Sequence, residues 1–347
     1  MIFEGRKILI ISLSRTGCIE YAKEMYKRLS PFSPLLICSE ASKDYFEVYN
    51  EALSTYTGKK DFAIRSFRFF KESKTLLDRY QKNHPELTIY FPVFHPWNLI
   101  LARKAKALNI RVVTTVHDYK THQGEKSKVV EIVQNRIVQL SDKVIFLTEN
   151  EKQKAIGDNK TLTNRSFVLE HPILHVSKKN TLDHTSQLNI LFLGRLKQYK
   201  GYHLLSEIAD NLDVGQITIA GDGDDSITVS TRVNLINKYL SEREISNLIQ
   251  THHILVLPYL EATQSGIITL GIQSEMVMII SDLPGLKEQL DDLSASWIQN
   301  NKKSLEIAIR NLQNDPNEFY EIKNNLKVFK ERFENRWNSK FQKLMSS

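Results

Sequence analysis

Short apolar runs alternate with stretches of helical length along the whole chain. In the first half, runs of strand length occur at 8–12, 35–38, 89–94, 112–117 and 143–147. A second series occurs at 189–193, 216–220, 254–258, 277–281 and 296–298. Strands that alternate with helices form parallel sheets covered by helices. The pattern therefore predicts an α/β protein, and its repetition predicts two doubly wound, Rossmann-like domains in tandem.

Helical periodicity fills the gaps between these runs. It spans 20–29, 62–80, 98–108 and 127–140 in the first half, and 202–211, 242–250, 266–274 and 285–290 in the second. A polar stretch without periodicity, 177–187, predicts the linker, and the chain's end is helical with a break at Asp315-Pro316. At 347 residues the chain can bury two cores. We predict segments 1–177, 188–320 and 321–347.

Composition excludes several protein classes. Apolar residues make up 41% and charged residues 25%, which is typical of globular proteins and not of disordered chains. Cys18 and Cys38 are the only cysteines and have no CxxC spacing, which argues against a disulfide framework or a zinc finger and favours a reducing compartment. The apolar run at 8–12 is too short for a signal peptide, and no run reaches membrane-spanning length. We expect a cytoplasmic protein, either free or peripheral on the inner face of the plasma membrane.

The net charge of +7 favours an anionic partner. The basic residues are spread widely, and no RNP, zinc-finger or basic-zipper signature occurs, so we predict no nucleic-acid partner. One stretch, 62–80, reads FAIRSFRFFKESKTLLDRY. On a helix its broad apolar face comprises Phe62, Phe69, Phe70, Leu76, Leu77 and Tyr80, while Ile64 and Phe67 fall among the cations Arg65, Arg68, Lys71, Lys74 and Arg79. Two interpretations stay open: a helix that binds an anionic membrane surface, and an amphipathic core helix with a solvated basic face.

The stretch LFLGRLKQYKG, 191–201, combines a strand, a glycine and two cations. The strand ends at Gly194, where the backbone can approach a ligand closely. Arg195 follows the strand, and Lys200 precedes Gly201 and the next helix. An arginine fork and a lysine charge near a helix N-terminus suit a diphosphate. By itself the string fits two solvated surface cations equally well.

The wider context resembles the C-terminal domain of retaining glycosyltransferases of family four, which have the GT-B architecture of two Rossmann-like domains facing a cleft. FLGR, KG, IAGDGD, ILVLPY and SGIITLGIQSEMVMIISDLPGLKE follow one another in the family's order. The resemblance implies that Arg195 and Lys200 bind the diphosphate of a nucleotide sugar beside Gly194. It also implies that the C-terminal helix crosses back to the first domain.

The family's acidic motif is altered in this chain. The family has two glutamates, one near the donor sugar and one on the ribose; aligned on Gly266, these positions hold Thr263 and Gly271. The string ATQSG is similar to a variant found in surface-polysaccharide glycosyltransferases of the family. We predict donor contacts from five residues at the start of the next helix: Thr263, Gln264, Ser265, Gly266 and Ile267. Simple helix capping is an equal alternative for the Gln264 and Ser265 side chains.

The first half resembles the family's N-terminal domain less fully. ILIISLSRTGCIEYAKEMYKRL is similar to its first strand, glycine loop and helix, with Gly17 and Cys18 where the family has two adjacent glycines. The resemblance implies that Gly17 contacts the donor and Cys18 the acceptor. In VVTTVHDYKTHQGE, His117 matches a histidine that lies beside the donor sugar, and His122 in the following loop is a candidate acceptor contact. The alternative for His117 is a strand-end histidine bonded to backbone.

These observations predict a retaining glycosyltransferase that moves a hexosyl group from a nucleotide diphosphate sugar to a glycan or lipid-linked glycan acceptor, in bacterial surface polysaccharide biosynthesis. The proposed catalytic residues are His117, Arg195 and Lys200. No metal-ligand spacing occurs, and we expect no cofactor besides the nucleotide sugar, which is a co-substrate. Two alternatives stay open: a catalytically silent nucleotide-sugar-binding protein and a GT-B sugar-nucleotide epimerase.

Overall fold

The computed structural model describes residues 3, 5–14, 18–120, 127–176 and 178–346, without the side chains of residues 59 and 346. The chain forms two compact units. The N-terminal unit contains the described residues up to Pro172 together with the C-terminal segment from Trp337 onward. The C-terminal unit contains Ile173–Arg336.

Within the described residues, the N-terminal unit is built on a seven-stranded parallel sheet in the order β3-β2-β1-β4-β5-β6-β7. Its strands are β1 (Lys7–Ser12), β2 (Leu35–Ser39), β3 (Glu51–Leu53), β4 (Leu87–Phe91), β5 (Arg111–Val116), β6 (Lys143–Phe146) and β7 (Ser166–Val168). Its helices are α1 (Ile19–Leu29), α2 (Lys59–Asn83), α3 (Asn98–Ala107), α4 (Lys128–Leu140) and α5 (Glu149–Asp158). The central strands are buried because helices cover both faces, as their continuous apolar runs require.

The C-terminal unit repeats this plan with, as far as the chain is described, six parallel strands in the order β10-β9-β8-β11-β12-β13. The strands are β8 (Ile190–Leu193), β9 (Ile217–Gly221), β10 (Val233–Asn237), β11 (Ile254–Leu257), β12 (Val277–Ser281) and β13 (Ser296–Ile298). The helices are α6 (Tyr202–Ile208), α7 (Glu242–Thr251), α8 (Gly266–Ser274), α9 (Pro284–Lys287), α10 (Lys302–Asn314) and α11 (Pro316–Ser346). Two doubly wound α/β units confirm the predicted fold class.

The ten predicted strands are present, and β3, β7 and β10 were not predicted. Each of these three strands lies at an edge of its sheet. Strands β3 and β7 have three residues each, and β10 reads VNLIN with only Val233 buried. A short or half-exposed edge strand needs no apolar run, so periodicity does not reveal it. The predicted helix at 285–290 is a single turn, α9.

The end of α11 packs with the N-terminal unit. Trp337 is fully buried there, and its indole Nε1 donates a hydrogen bond of 2.8 Å to the carbonyl oxygen of Glu170. The guanidinium of Arg28, near the end of α1, lies 4.5 Å from the centre of the Trp337 ring. Lys340 pairs with the Glu170 carboxylate. An aromatic anchor, a cation–π contact and an ion pair therefore fix this segment within the N-terminal unit.

Helix α2 buries a narrower face than its sequence predicts. Phe69 and Leu77 are buried, and the Phe69 ring stacks on Trp97 at 4.2 Å. Phe62 and Phe70, which the sequence placed on the core face, are 37% and 46% exposed. The helix packs along the i, i+4, i+8 line through Phe69, so Phe70, one position further, is rotated about 100° out of the contact.

The exposed side of α2 is both apolar and cationic. Ile64 is 75% exposed and Phe67 63% exposed. Phe67 lies under the ammonium of Lys71 at 4.4 Å, and Phe70 lies under Lys104 of α3 at 4.0 Å. We call the residues Ile64, Phe67, Phe70, Lys71 and Lys104 the α2 surface. Among the described residues, no helix is long and apolar enough to cross a membrane.

Candidate functional site

The topology of the C-terminal unit brings two of its strand ends together. Its strand order reverses between β8 and β11, which are hydrogen-bonded neighbours. In a doubly wound sheet, ligands bind beyond the carboxyl ends of the strands at such a reversal. Gly194 and Arg195 follow β8, and Tyr259 follows β11 after Pro258. The motif predicted from sequence therefore lies at the position where this fold binds ligands.

Glycines allow the backbone segments at this point to pack closely. Gly194 has a φ of 141° and Gly221, at the end of β9, a φ of 151°. A Cβ atom on Gly221 would overlap the carbonyl group of Gly194, and one on Gly201 would overlap the carbonyl group of Pro258. Both the positive φ and the close approach require glycine. The strand ends and the start of α6 are thereby fixed against each other.

The two cations of the motif are each held by a tyrosine. Arg195 is exposed, and its Nη2 donates a hydrogen bond of 2.7 Å to the hydroxyl of Tyr199. Lys200 is half-buried, and its Nζ lies 3.9 Å from the centre of the Tyr259 ring and 5.4 Å from that of Tyr199. Both tyrosines are buried. A third cation of the loop, Lys197, is paired with Asp224 at 3.2 Å.

The turn before α8 is tied to its surroundings by Ser265. The backbone N–H of Ser265 donates to Oε1 of Gln289 at 2.6 Å, and its Oγ accepts from the N–H of Ile267 at 3.3 Å. Its Oγ also lies 3.2 Å from the hydroxyl of Tyr259. The Ser265 side chain therefore caps α8, as the alternative interpretation predicts. The backbone N–H of Ser265 is already hydrogen-bonded to Gln289. A donor contact by Ser265 stays a prediction.

The neighbouring residues of the turn differ in their surroundings. Thr263 is buried, and its carbonyl oxygen lies where a Cβ on Gly285 would stand. Oε1 of Gln264 is buried without a hydrogen-bond partner among the described residues. A buried acceptor atom without a protein partner can accept a hydrogen bond from a ligand. Gly266 and Ile267 form the half-buried first turn of α8, whose N-terminus favours an anion.

In the N-terminal unit, the strand order reverses between β1 and β4, and His117 follows β5, the strand on the other side of β4. Its Nε2 lies 2.9 Å from the carbonyl oxygen of Pro92, and its ring meets the edge of Tyr21 at 4.6 Å. Burial lowers the pKa of His117, but the charge of Cys18 and a hydrogen bond to it outweigh this effect and raise the pKa to about 9. Nδ1 makes no well-aligned hydrogen bond within the described part of the chain. His117 and Cys18 are thus brought together, and His117 has the backbone bond expected of a strand-end histidine.

A buried polar cluster lies beneath this pair. The hydroxyls of Tyr90 and Tyr21 lie 2.8 Å and 3.3 Å from Oγ1 of Thr115. Burial raises the pKa of Tyr21 to about 12, so its hydroxyl stays protonated. His171 packs against Tyr21 at 5.2 Å, and burial lowers the pKa of His171 to about 4. Tyr21 and His171 are therefore uncharged near neutral pH, and any charge in this region lies on His117 and Cys18.

Two predicted site residues, Gly17 and His122, lie outside the described residues. Among the residues that the structure does describe, no group of three or more His, Cys, Asp or Glu side chains could hold a metal ion. Asp224, in the acidic turn after β9, pairs instead with Lys197. Asp222 accepts a backbone hydrogen bond of 2.8 Å from Leu196 through its carbonyl oxygen.

Sequence reasoning missed three residues that shape the site in the C-terminal unit: Tyr199, Tyr259 and Gln289. Tyr199 precedes Lys200 directly in the motif, and Tyr259 ends the string ILVLPY, so both lay inside segments that were singled out. An aromatic residue at a strand end among cations is the signal that could have revealed them. No sequence pattern indicates Gln289, because its contact with Ser265 depends on how the segment after α9 packs against the turn before α8.

The comparisons with known proteins agree with this geometry. Residues 187–315 match the model of a family described as "Glycosyl transferases group 1". HepE of Anabaena, solved in complex with UDP, superposes with a TM-score of 0.71 at 12% identity over 98% of this chain and 99% of that chain. Among curated proteins, none matches the sequence.

Two further solved structures have the same fold. Sucrose-phosphate synthase of Thermosynechococcus elongatus superposes with a TM-score of 0.70 at 12% identity, over 98% of this chain and 99% of that chain. A UDP-N-acetylglucosamine 2-epimerase superposes with a TM-score of 0.58 at 12% identity, over 92% of this chain and 90% of that chain. Residues 187–315 are thus similar to the glycosyl transferases group 1 family, within a chain that has the GT-B fold.

Proposed function

We propose that this protein transfers a hexosyl group from a nucleotide diphosphate sugar to a glycan acceptor, with retention of anomeric configuration. The observation that carries the proposal is the arrangement of Arg195 and Lys200 beyond β8, at the strand-order reversal of a unit that is similar to group 1 glycosyltransferases. HepE, which shares the fold, has been solved with UDP and with UDP-glucose, which supports a nucleotide-sugar donor.

The chemistry follows from where charge develops. As the glycosidic bond to the donor phosphate breaks, the leaving diphosphate gains negative charge. The fork of Arg195 and the ammonium of Lys200 stabilise that charge, and the N-terminus of α8 adds its dipole. Positions 263 and 271 hold Thr263 and Gly271, so neither supplies a carboxylate nucleophile. We therefore favour an oxocarbenium-like path in which the leaving phosphate helps to deprotonate the acceptor hydroxyl.

Two residues are proposed to contact the donor sugar, one because of its buried acceptor atom and one because of the family resemblance. Gln264 is the strongest candidate in the turn before α8, because its buried Oε1 lacks a partner among the described residues and can accept from a sugar hydroxyl. His117 is proposed to contact the transferred sugar. Against the effect of burial, the charge of Cys18 raises the pKa of His117, which favours an imidazole that donates a hydrogen bond to a sugar hydroxyl.

We propose that the protein needs no metal ion, because Arg195 and Lys200 supply the positive charge that the departing diphosphate requires. Turnover should survive exhaustive chelation with EDTA. Loss of turnover that returns on addition of Mg²⁺ or Mn²⁺, but not of Na⁺ at equal ionic strength, would contradict this part of the proposal.

We also propose that the acceptor is a lipid-linked glycan of bacterial surface polysaccharide assembly and that the protein binds the cytoplasmic face of the membrane. The α2 surface supports this, since Ile64 and Phe67 are exposed among cations. Exposed apolar groups surrounded by lysine and arginine are typical of helices that lie in a membrane interface.

The decisive experiment has two stages. Thermal shift with a panel of nucleotide sugars and nucleoside diphosphates identifies the donor by the largest rise in Tm. The best donor is then incubated with the protein alone and with glycan acceptors, and products are separated by mass spectrometry. Transfer that requires an acceptor supports the proposal, whereas a protein that binds no member of the panel would falsify it.

An epimerase is the second candidate, because a UDP-N-acetylglucosamine 2-epimerase shares the fold over most of both chains. An epimerase would convert the donor sugar without any acceptor, so the donor-only incubation separates the two activities. A silent nucleotide-sugar-binding protein would bind the donor and leave it unchanged in both incubations.

A further inference from the structure

The side chain of Tyr199 is buried beside Arg195. Tyr199 lies in the short turn Gln198–Lys200 and is only 5% exposed. Its carbonyl oxygen accepts a hydrogen bond of 2.8 Å from the N–H of Leu260, which ties this turn to the segment after β11. Its hydroxyl points to the exposed Arg195 and accepts the bond of 2.7 Å from Nη2. A fixed phenol therefore holds an exposed guanidinium.

Tyr259 has the same relation to Lys200. Tyr259 is fully buried, and its ring face lies 3.9 Å from Nζ of Lys200. Its hydroxyl lies 3.2 Å from Oγ of Ser265, which caps α8. The ring thus connects the lysine of one loop to the helix N-terminus that follows another strand. A lysine ammonium over an aromatic face is attracted by the ring quadrupole.

Such fixation matters for long cationic side chains. Lysine and arginine have many rotamers, and ordering one of these side chains on a ligand costs conformational entropy. A cation that is already held in place does not incur this cost when the ligand binds. A buried tyrosine has only two side-chain torsions and is itself fixed by packing, so it suits this role.

We propose that Tyr199 and Tyr259 are positioning residues, which hold Arg195 and Lys200 in place for the diphosphate of the donor. This inference rests on the proposed function, since it deepens the account of the same site. Neither tyrosine needs to touch the donor. Tyr199 acts through a hydrogen bond to the guanidinium, and Tyr259 acts through its ring face.

The competing interpretation is that both tyrosines only fill the core. If they only fill the core, their substitution should lower stability. It should also weaken diphosphate binding by the same factor with the cation present and with the cation removed. The positioning role predicts instead that the effect on binding depends on the cation. A double-mutant cycle separates these interpretations.

The test measures the affinity of the tightest-binding nucleoside diphosphate, chosen from UDP, GDP, CDP and ADP, by calorimetry. The variants are Tyr199→Phe, Arg195→Ala and the double variant. Tyr199→Phe removes one oxygen atom and should weaken binding about 3- to 10-fold when Arg195 is present. With Arg195→Ala in place, the same change should alter the affinity less than about twofold.

Tyr259 is tested through its ring. Tyr259→Phe keeps the ring face under Lys200 and should weaken binding less than about threefold, whereas Tyr259→Leu removes the face and should weaken it more. The difference between these two variants should vanish with Lys200→Ala in place. Tyr202→Phe is the matched control: Tyr202 is a buried tyrosine of the same unit, whose ring meets Phe192, and its change should leave binding unaltered.

The outcomes distinguish the inference from the function on which it rests. If no nucleoside diphosphate binds the unaltered protein, the proposed function fails. If one binds, but Tyr199→Phe weakens binding equally with and without Arg195, the positioning role is overturned and the function stands. Should Tyr259→Leu fail to fold, the Tyr199 cycle still decides the role of Tyr199, because Tyr199→Phe removes only a hydroxyl group. A fluorinated phenylalanine at position 259 then decides the role of Tyr259: it keeps the shape of the ring but weakens its quadrupole, so it should weaken binding when Lys200 is present and not with Lys200→Ala in place.

Discussion

The Sδ atom of Met278, on β12, occupies the space in which a side chain at Gly271 of α8 would have to begin. Position 271 is where the resembling transferases carry the glutamate that holds the ribose. In this protein the helix packs on the sheet at that point and presents no carboxylate. Thr263, at the other acidic position, is buried. Donor recognition should therefore depend on the diphosphate more than on the ribose.

This relationship predicts tolerance of a deoxyribose. The best nucleoside diphosphate and its 2′-deoxy and 3′-deoxy forms should differ in Kd by less than about threefold, because a lost hydroxyl leaves no buried carboxylate unpaired. Calorimetry measures the three affinities. As a contrast, the nucleoside monophosphate should bind at least about 30-fold more weakly, since the cations then lose the β-phosphate. A large penalty for the deoxy forms would show that another group holds the ribose.

The cations of the motif should be needed for turnover and not for folding. Arg195→Ala and Lys200→Ala should each lower kcat/KM about 30- to 1,000-fold, or roughly 2–4 kcal/mol, because each removes charge from the leaving diphosphate. Arg195 is exposed and Lys200 half-buried, so Tm should change little. Steady-state kinetics and thermal denaturation check the two halves of this prediction.

The same loop offers a control for these variants. Lys197 is also a cation after β8, but it is paired with Asp224, and Lys197→Ala should change kcat/KM less than about threefold. Arg195→Lys should not restore full activity, because a point charge lacks the bidentate fork. The double variant should lose less than the sum of the single losses. Near-normal turnover in well-folded Arg195→Ala would make Arg195 an ordinary surface cation.

Membrane attachment should depend on the α2 surface. Changing Ile64 and Phe67 together to Ser should lower binding to vesicles of phosphatidylglycerol and phosphatidylcholine at least about tenfold, because both side chains would insert among the acyl chains. Arg65, Arg68 and Lys71 changed to Glu should weaken it through charge repulsion, and salt should weaken binding of the unaltered protein. Vesicle flotation measures the bound fraction.

Ile307 provides a matched control for that experiment. It is an exposed isoleucine on α10 of the C-terminal unit, 49% accessible. Ile307→Ser removes the same apolar group from a surface that we do not propose to bind lipid, so flotation should stay as it is. If the α2 variants also float unchanged, the exposed side of α2 is simply a solvated face.

Acid should destabilise the N-terminal unit through His171. Burial, followed by the charge of His117, lowers the pKa of His171 to about 4, although its Nδ1 is bonded to the carbonyl oxygen of Pro172. The unfolded chain binds a proton near the ordinary pKa of 6.5, which the folded protein does not bind until about 4. The free energy of unfolding therefore has its full value above about pH 6.5. It decreases by up to about 3 kcal/mol as the pH falls toward 4.

Urea denaturation at several pH values tests this linkage. His171→Asn retains a donor for Pro172 and removes the titrating group, so the free energy of unfolding of the variant should decline less between pH 7 and pH 4 than that of the unaltered protein. His175→Asn, at an exposed histidine four residues away, should reproduce the unaltered pH profile. Parallel profiles for all three proteins would show that His171 takes up its proton equally in both states.

The sequence by itself determined the fold class and the place of two candidate cations beyond one strand. Apolar runs of strand length identify central strands because such strands are buried on both faces, and that requirement is local to each run. Gly194, Arg195 and Lys200 could be predicted because they follow such a strand directly. The resemblance then assigned them to a diphosphate before any geometry was known.

Only the tertiary structure decided what surrounds those cations. Tyr259 lies under Lys200 because β8 and β11 are neighbours, although more than fifty residues separate them in the chain, as the numbering shows. Met278 fills the space at Gly271 because α8 returns onto β12. Contacts of this kind depend on strand order and helix packing, which hydrophobic periodicity does not encode, since periodicity reports only which face of an element is buried.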